Sequence, residues 1–427
     1  MNARTIALEL LDAVLAGRHL LDEALESDKR LAALEPRDRA FARLLAATVL
    51  RRLGQLDDLI GRCLDRPLPA RSRRVMDVLR LGAVQLLFLD TPPHAAISAT
   101  VDLVKGGPLN GFAKLVNAVL RRLDREGRAW AAAQDAGRLN TPDWLWRSWC
   151  AAYGKDTARA IAEAHLHEAP VDITAMGDPA FWAERLQAEL LPTGSLRRAA
   201  GGDVTALPGF AEGAWWVQDM AAAIPARLLG EVAGKRVADL CAAPGGKALQ
   251  LAAAGALVTA VDRSARRLER VRQNLDRLKL EADMVAADVA AWRPESPFDA
   301  VLLDAPCTAT GTLRRHPDGL RLKGPGDVAA LADQQAALLR AALEMLKPGG
   351  TLVYCVCSLE PEEGVAQVER LLAAGAVERL PVRPEEVGGL AELLTPAGDL
   401  RTLPCHMAEL GGMDGFYAAR LVRAATA

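Results

Sequence analysis

From about residue 235 onward, short apolar runs rich in branched side chains alternate with stretches whose apolar residues recur every three or four positions, which leaves few folds open. Runs at 236–241, 257–262, 284–288, 298–304, 351–357 and 416–422 have the length and branching of buried strands. Between them, 264–280 places Leu268, Val271, Leu275 and Leu278 at helical spacing behind a Ser264 N-cap. Residues 327–346 form a second long amphipathic helix, stopped by Pro348-Gly349-Gly350. Strand and helix in alternation predict a mostly parallel, doubly wound α/β sheet of Rossmann type, with its ligand crevice at the carboxyl ends of the strands.

Those strand ends carry the reactive residues. The first runs into Asp239-Leu240-Cys241-Ala242-Ala243-Pro244-Gly245-Gly246-Lys247, a glycine loop opening a helix. It has neither the GxxxxGK[ST] spacing of a phosphate loop nor the GxGxxG of a dinucleotide site, so a pyrophosphate ligand fits poorly. The second strand ends in Asp262, an acid suited to ribose hydroxyls, and the third in Asp288, placed to meet an adenine. A nucleoside without a triphosphate, such as S-adenosylmethionine, satisfies that pattern. The bland alternative, a tight turn and three helix caps, explains each residue alone but explains three successive strand ends poorly. The next two strands deliver Asp304 and Cys307, on either side of Ala305-Pro306, and then Cys357. A free cysteine is often only a small core hydrophobe, so either thiol alone proves little.

The front of the chain reads differently. Residues 5–128 are helical throughout: Ile6, Leu10, Leu11, Val14 and Leu15 make one apolar stripe, repeated in 41–53 and 75–89, with breaks at Pro36, Pro67–Pro69, Pro92-Pro93 and Gly106–Pro108. Residues 1–130 hold 21 Lys+Arg and 16 Asp+Glu, a balance of +5, whereas the whole chain totals 52 and 54. That excess gives weak support for a nucleic-acid partner. Residues 131–214 are crowded with tryptophans, read as packing rather than base stacking, and with strands at 171–174 and 215–219 they suggest a small α/β linker domain. Thr141-Pro142 is the expected start of a helix there, with Thr141 as N-cap. The expected division is therefore 1–130, 131–214 and 215–427.

At 427 residues, 51% hydrophobic and 25% charged, the chain has a soluble composition, no apolar run long enough to span a membrane and no secretory signal, so a cytoplasmic protein is expected. Seven cysteines without a CxxC and six scattered histidines argue for reduced thiols and against a metal site.

The front domain resembles the NusB-like RNA-binding domain through the order of its landmarks: Arg37-Asp38-Arg39, Leu56-Asp57, Leu79-Arg80-Leu81-Gly82, the DTPPHAAI run at 90–97, and Asn117 to Arg122. The CAAPGGK loop, DAPC followed by TATGTLRRHPD, YCVCSLEPEE and the final GMDGFY resemble the RNA cytosine-C5 methyltransferases. With the NusB-like front end, the resemblance is to the bacterial 16S ribosomal RNA type of that family (Sun, Fmu or RsmB), over essentially the whole chain. It implies that Cys241, Ala242, Ala243, Pro244, Gly245, Gly246, Lys247, Asp262, Arg267, Asp288 and Asp304 bind S-adenosylmethionine. It further implies that Cys357 is the nucleophile, Cys307 serves product release, and the family's target is cytosine 967 of 16S ribosomal RNA. The expected partner is that RNA, naked or in an early assembly state, with no membrane, no metal and a monomeric protein.

The chemistry explains the residue types. Cytosine C5 is a weak nucleophile, so a thiolate must first add at C6 and push electron density to C5. Asp304 would assist at N3, and a free thiol needs a cation or dipole to ionise, for which Lys247 is the candidate by motif. The chain departs from the family pattern at Val356, where a threonine usually precedes the nucleophile, at Ala248 after the GGK, and at Leu320, where a lysine is usual; Arg321 or Lys323 would then meet phosphate. Two rivals remain at this level, a transfer RNA cytosine-C5 methyltransferase and a non-catalytic RNA-binding or assembly factor.

Overall fold

A computed structural model describes residues 2–424. The chain forms two compact units: one runs to His167 and includes Leu313–Lys323, and the other comprises Glu168–Thr312 and Gly324 onward.

The first unit is helical. Its stripes became helices Ala3–Leu15, Pro36–Arg51, Leu53–Gly61, Arg73–Leu87, Pro93–Asp102 and Ala113–Ala132, with starts at Pro36 and Pro93, where a missing N–H costs a helix nothing. Ile6, Leu10, Leu11 and Val14 are buried together with Leu45, Leu56, Val78 and Leu120 in one core. Gly82 makes this packing possible, because a Cβ there would come within 2.6 Å of the Leu120 methyls. Arg80 sits inside the unit between Asp57 and Asp77, at 2.7 Å from each. Leu313–Lys323, though distant in sequence, belongs to this unit: Leu21 N–H donates to Asp318 (3.1 Å), Arg18 to the Leu322 carbonyl (2.7 Å) and Arg51 to the Arg314 carbonyl (2.8 Å).

One predicted cap was wrong. The helix after Thr141 is Asp143–Tyr153 with Pro142 as its N-cap, while the Thr141 hydroxyl donates backward to the Gly137 carbonyl at 2.8 Å. The Thr141 hydroxyl is spent on the preceding helix Ala136–Asn140, and Asp143–Tyr153 has no side-chain cap.

The second unit holds two sheets. A small antiparallel sheet contains β1 (Val171–Ala175), β2 (Glu189–Leu190), β3 (Leu196–Arg198) and β4 (Trp215–Val217) in the order β2-β3-β1-β4. Its Asp172 is fully buried, paired with Arg197 at 2.7 Å; that guanidinium also donates to the Gly412 carbonyl, and Met220 N–H donates to the same carboxylate. Trp215 and Trp216 are buried here, and of the tryptophans expected to pack, Trp149 is fully buried in the helical unit.

The large sheet contains β5 (Arg236–Leu240), β6 (Leu257–Asp262), β7 (Asp283–Ala286), β8 (Phe298–Asp304), β9 (Leu346–Val356), β10 (Val377–Arg379), β11 (Leu400–Thr402) and β12 (Phe416–Arg423). Its order is β10-β12-β9-β8-β5-β6-β7, with β9 to β7 parallel and β12 antiparallel to β9. The doubly wound prediction therefore holds, and the order reverses between β5 and β8. The helix after β6 is Ala265–Leu278, with Leu268, Val271, Leu275 and Leu278 buried and the Ser264 hydroxyl accepting from Arg267 N–H.

Two edges moved. The predicted strand at 284–288 ends at Ala286, because Asp288 turns back to accept Ala290 N–H on its carboxylate. The helix expected to 346 is Pro325–Glu344, and Pro348-Gly349-Gly350 lies inside β9, where the ladder slips from Phe298↔Leu346 to Ala300↔Thr351. The glycines are bulge residues in a strand, not a helix stop. Among the described residues no helix is long and apolar enough to cross a membrane.

Candidate active site

The site gathers at the carboxyl ends of β5, β6 and β8, where the strand order reverses. Past β5 the chain turns sharply: Cys241 has φ +63° and Gly245 φ +112°, where any Cβ would be strained and would also press on Val271 at 3.2 Å. This bend aims the loop at the helix Gly246–Ala253 and turns Lys247 inward.

Asp262, at the end of β6, is buried and spans the loop. Its carboxylate accepts Ser264 N–H at 2.9 Å and Ala243 N–H at 3.3 Å, and Arg267 approaches it at 3.3 Å. Arg267 also donates to the Ala243 carbonyl at 2.5 Å, so it braces the glycine loop. Asp288 is exposed, with one carboxylate oxygen closing its own turn and the other open. These positions bring Ala243, Gly245, Asp262 and Arg267 together around one loop, as the sequence suggested.

Lys247 is buried and bound to Asp304 at 2.7 Å, with its ammonium 5.1 Å from the Phe416 ring centroid. Burial alone would lower its pKa, but the charge of Asp304, followed by Cys355, raises it on balance, so it is a fixed cation. Asp304 also accepts from the Cys355 thiol at 3.5 Å. Among the described residues the ion pair of Lys247 is with Asp304.

Cys307 and Cys357, half-buried, stand with their sulfurs 3.5 Å apart. The ladder explains this meeting: β8 and β9 are parallel neighbours in register Asp304↔Cys355, and Ala305 N–H donates to the Cys355 carbonyl and Gly311 N–H to the Cys357 carbonyl, each at 3.0 Å. The Cys307 thiol is held well above the usual thiol range, first by its hydrogen bond to Cys357 and then by burial. Burial also raises Cys355, beside Asp304, and pushes Cys241 up to about 12.

Two residues escaped the sequence reading as site components. Asp239, in β5, is fully buried, has no side-chain hydrogen bond of good geometry, and is pushed by burial up to about 8. Its place in DLCAAPGGK was visible, but its burial was not. Glu363 is the second and lies behind the two thiols. Arg321, expected to meet phosphate, instead donates to the Asn140 carbonyl at 3.3 Å within the helical unit, leaving Lys323 for that role.

A buried carboxyl beside a glycine loop and a strand-end acid suits a nucleoside cofactor with a charged tail. The fold and this crevice define a Rossmann-like, S-adenosylmethionine-dependent methyltransferase carried behind a helical NusB-type domain. A family model described as 16S rRNA methyltransferase RsmB/F matches residues 226–422, and the NusB family model matches residues 1–125. Ribosomal RNA small subunit methyltransferase B of Shewanella oneidensis is 36% identical over 99% of the chain and all of that protein. The enzyme of that name from Xanthomonas campestris pv. campestris is 41% identical over 79% of the chain and 80% of its own length. The crystal structure of PH0851 superposes with a TM-score of 0.74 at 20% identity, covering 99% of both chains. A methyltransferase homologue from Pyrococcus horikoshii gives 0.54 at 26% identity, covering 71% of this chain and 98% of its own. The chain belongs to the RsmB/F family of 16S ribosomal RNA methyltransferases and is an S-adenosylmethionine-dependent RNA methyltransferase.

Proposed function

We propose that this enzyme methylates C5 of one cytosine in 16S ribosomal RNA, the family position 967, through a covalent adduct between Cys357 and C6. The observation that carries this reading is the pair of sulfurs 3.5 Å apart at the ends of β8 and β9, beside the Lys247–Asp304 pair. S-adenosylmethionine, held by the 241–247 loop, Asp262, Asp288 and Arg267, supplies an electrophilic methyl group. Cys357 adds as thiolate to C6, and the electron pair of the C5–C6 double bond moves to C5. Asp304, carrying a proton when the base is engaged, donates to N3 and so stabilises the charge spreading into the ring, while Lys247 holds that carboxyl in place. After the methyl is attached, Cys307, its own proton first passed to solvent, takes the C5 proton as the thiolate; the C5–C6 double bond re-forms and the C6–S bond breaks, releasing Cys357.

Residues 1–130 hold the RNA, 131–214 link, and 215–427 catalyse; the substrate is naked RNA or an early assembly intermediate, and the enzyme works as a cytoplasmic monomer. Denaturing electrophoresis with labelled RNA tests the mechanism. Cys307→Ala should accumulate a protein–RNA adduct when S-adenosylmethionine is present, whereas Cys357→Ala should form none and lose activity. The opposite pattern reverses the two roles, and full turnover in both variants removes the covalent mechanism. Bisulfite sequencing of 16S ribosomal RNA treated as naked RNA or as assembled particle identifies the base and the substrate state.

A further inference from the structure

Behind the two thiols lies Glu363, whose side chain is fully buried. A buried carboxylate normally needs a cation, yet among the described residues none is paired with it, and its charge is met by neutral donors alone. One oxygen accepts Thr308 N–H at 2.9 Å and Gln335 Nε2–H at 3.1 Å. The other accepts the Thr308 hydroxyl and the Ser358 hydroxyl, the latter at 2.5 Å. Gln335 also donates to the Pro306 carbonyl at 2.8 Å. Thr308 and Ser358 are the residues immediately after Cys307 and Cys357, so one carboxylate grips both thiol-bearing loops at adjacent positions. Glu363 is itself held: its carbonyl accepts the Tyr354 hydroxyl at 2.5 Å, and Tyr354 is in β9.

We propose that Glu363 is a positioning residue that sets the spacing of the two sulfurs by clamping the loops after β8 and β9 to one another. The inference rests on the reading that Cys357 and Cys307 share one catalytic cycle. A thiol that adds to C6 and a second that removes the proton at C5 must reach neighbouring carbons of one ring. Ordinary loop motion of an ångström would separate these functions. Charge-assisted hydrogen bonds from four donors are strong enough to hold such a spacing, and the loss of any one leaves a buried charge under-bonded.

Phenylarsine oxide, which bridges two thiols only when they are close, reads the spacing independently of catalysis. Glu363→Gln replaces one acceptor oxygen by an N–H donor that faces donors. It is expected to lower kcat and arsenical affinity each by about tenfold or more while the KM for S-adenosylmethionine stays unchanged. Thr308→Val should do the same, and Thr308→Ser, which keeps both bonds, should recover most of the loss. Should Glu363→Gln fail to fold, the Thr308 pair carries both readouts. Arsenical affinity equal to the unaltered enzyme in Glu363→Gln and Thr308→Val would overturn the clamp, whatever turnover does. Lost arsenical affinity with full turnover would uphold the clamp and overturn the shared catalytic cycle on which it rests.

Discussion

Asp239 and Asp262 stand at the ends of adjacent strands, and their surroundings give them opposite tasks. Asp262 is bonded to two backbone N–H groups and approached by Arg267. Charge-assisted bonds to two ribose hydroxyls contribute roughly 1.5–3 kcal/mol each. Asp262→Ala should therefore weaken S-adenosylmethionine binding at least about tenfold by calorimetry, and unchanged affinity would remove Asp262 from the site. At Asp239 burial outweighs the charge of Lys247 and the Ala248 N–H, and its folded pKa of about 8 lies above its unfolded value. Its contribution to stability is thus fully present below the unfolded carboxyl range near pH 4 and is lost as pH rises toward 8. Asp239→Asn, neutral throughout, should melt at the same temperature as the parent near pH 4 and at a higher one at pH 8. Equal melting temperatures at both pH values would show that Asp239 is ionised at no cost.

At the scale of elements, the site depends on where backbones come close. The turn Thr310–Thr312, after Cys307, lies against the GMDG segment, with Gly415 N–H donating to the Gly311 carbonyl at 2.8 Å. A Cβ on Gly311 would lie 2.0 Å from the Gly415 carbonyl oxygen, so only glycine lets these two chains meet. Gly311→Ala should destabilise the enzyme by about 1–3 kcal/mol, the usual range for overpacking. Urea denaturation with an unchanged midpoint would mean that the two segments part easily. The motif GTL is thereby explained by sterics, and so is Leu79-Arg80 in the helical unit, where Arg80 is spent on Asp57 and Asp77. Arg80 thus identifies the domain through its packing and is not available to RNA.

For the molecule as a whole, the +5 balance of residues 1–130 becomes a testable surface once the bonded arginines are set aside. Arg37, Arg39 and Arg121 are exposed, whereas Arg51 is buried and Arg80 engaged. Each phosphate contact contributes about 0.7–0.9 to the slope of log affinity against log salt. Replacing Arg37, Arg39 and Arg121 together by alanine should weaken RNA binding and flatten that slope by about 2 to 3, leaving cofactor affinity unchanged. An unaltered slope would place the RNA on another face. Point substitutions suit this test better than truncation, because residues 313–323 pack within the helical unit and would lose their partners.

The doubly wound sheet, the helical front and the crevice acids were legible in the chain because each rests on local information: strand length, helical period, and a polar residue where an apolar run stops. Cys307 and Cys357 were legible as strand-end thiols for the same reason. Their separation of 3.5 Å, the pairing of Lys247 with Asp304 and the burial of Asp239 were not, since each depends on which strands become neighbours. The motif offered Lys247 as a cation, and it is the parallel pairing of β5 with β8 that sets it against Asp304. Glu363 was the least visible, written as one of several glutamates in SLEPEE; only the fold put it in the dark between two loops fifty residues apart. A side chain's chemistry travels with its letter, but its charge state and its partners are set by the dielectric and the donors that distant segments bring to it.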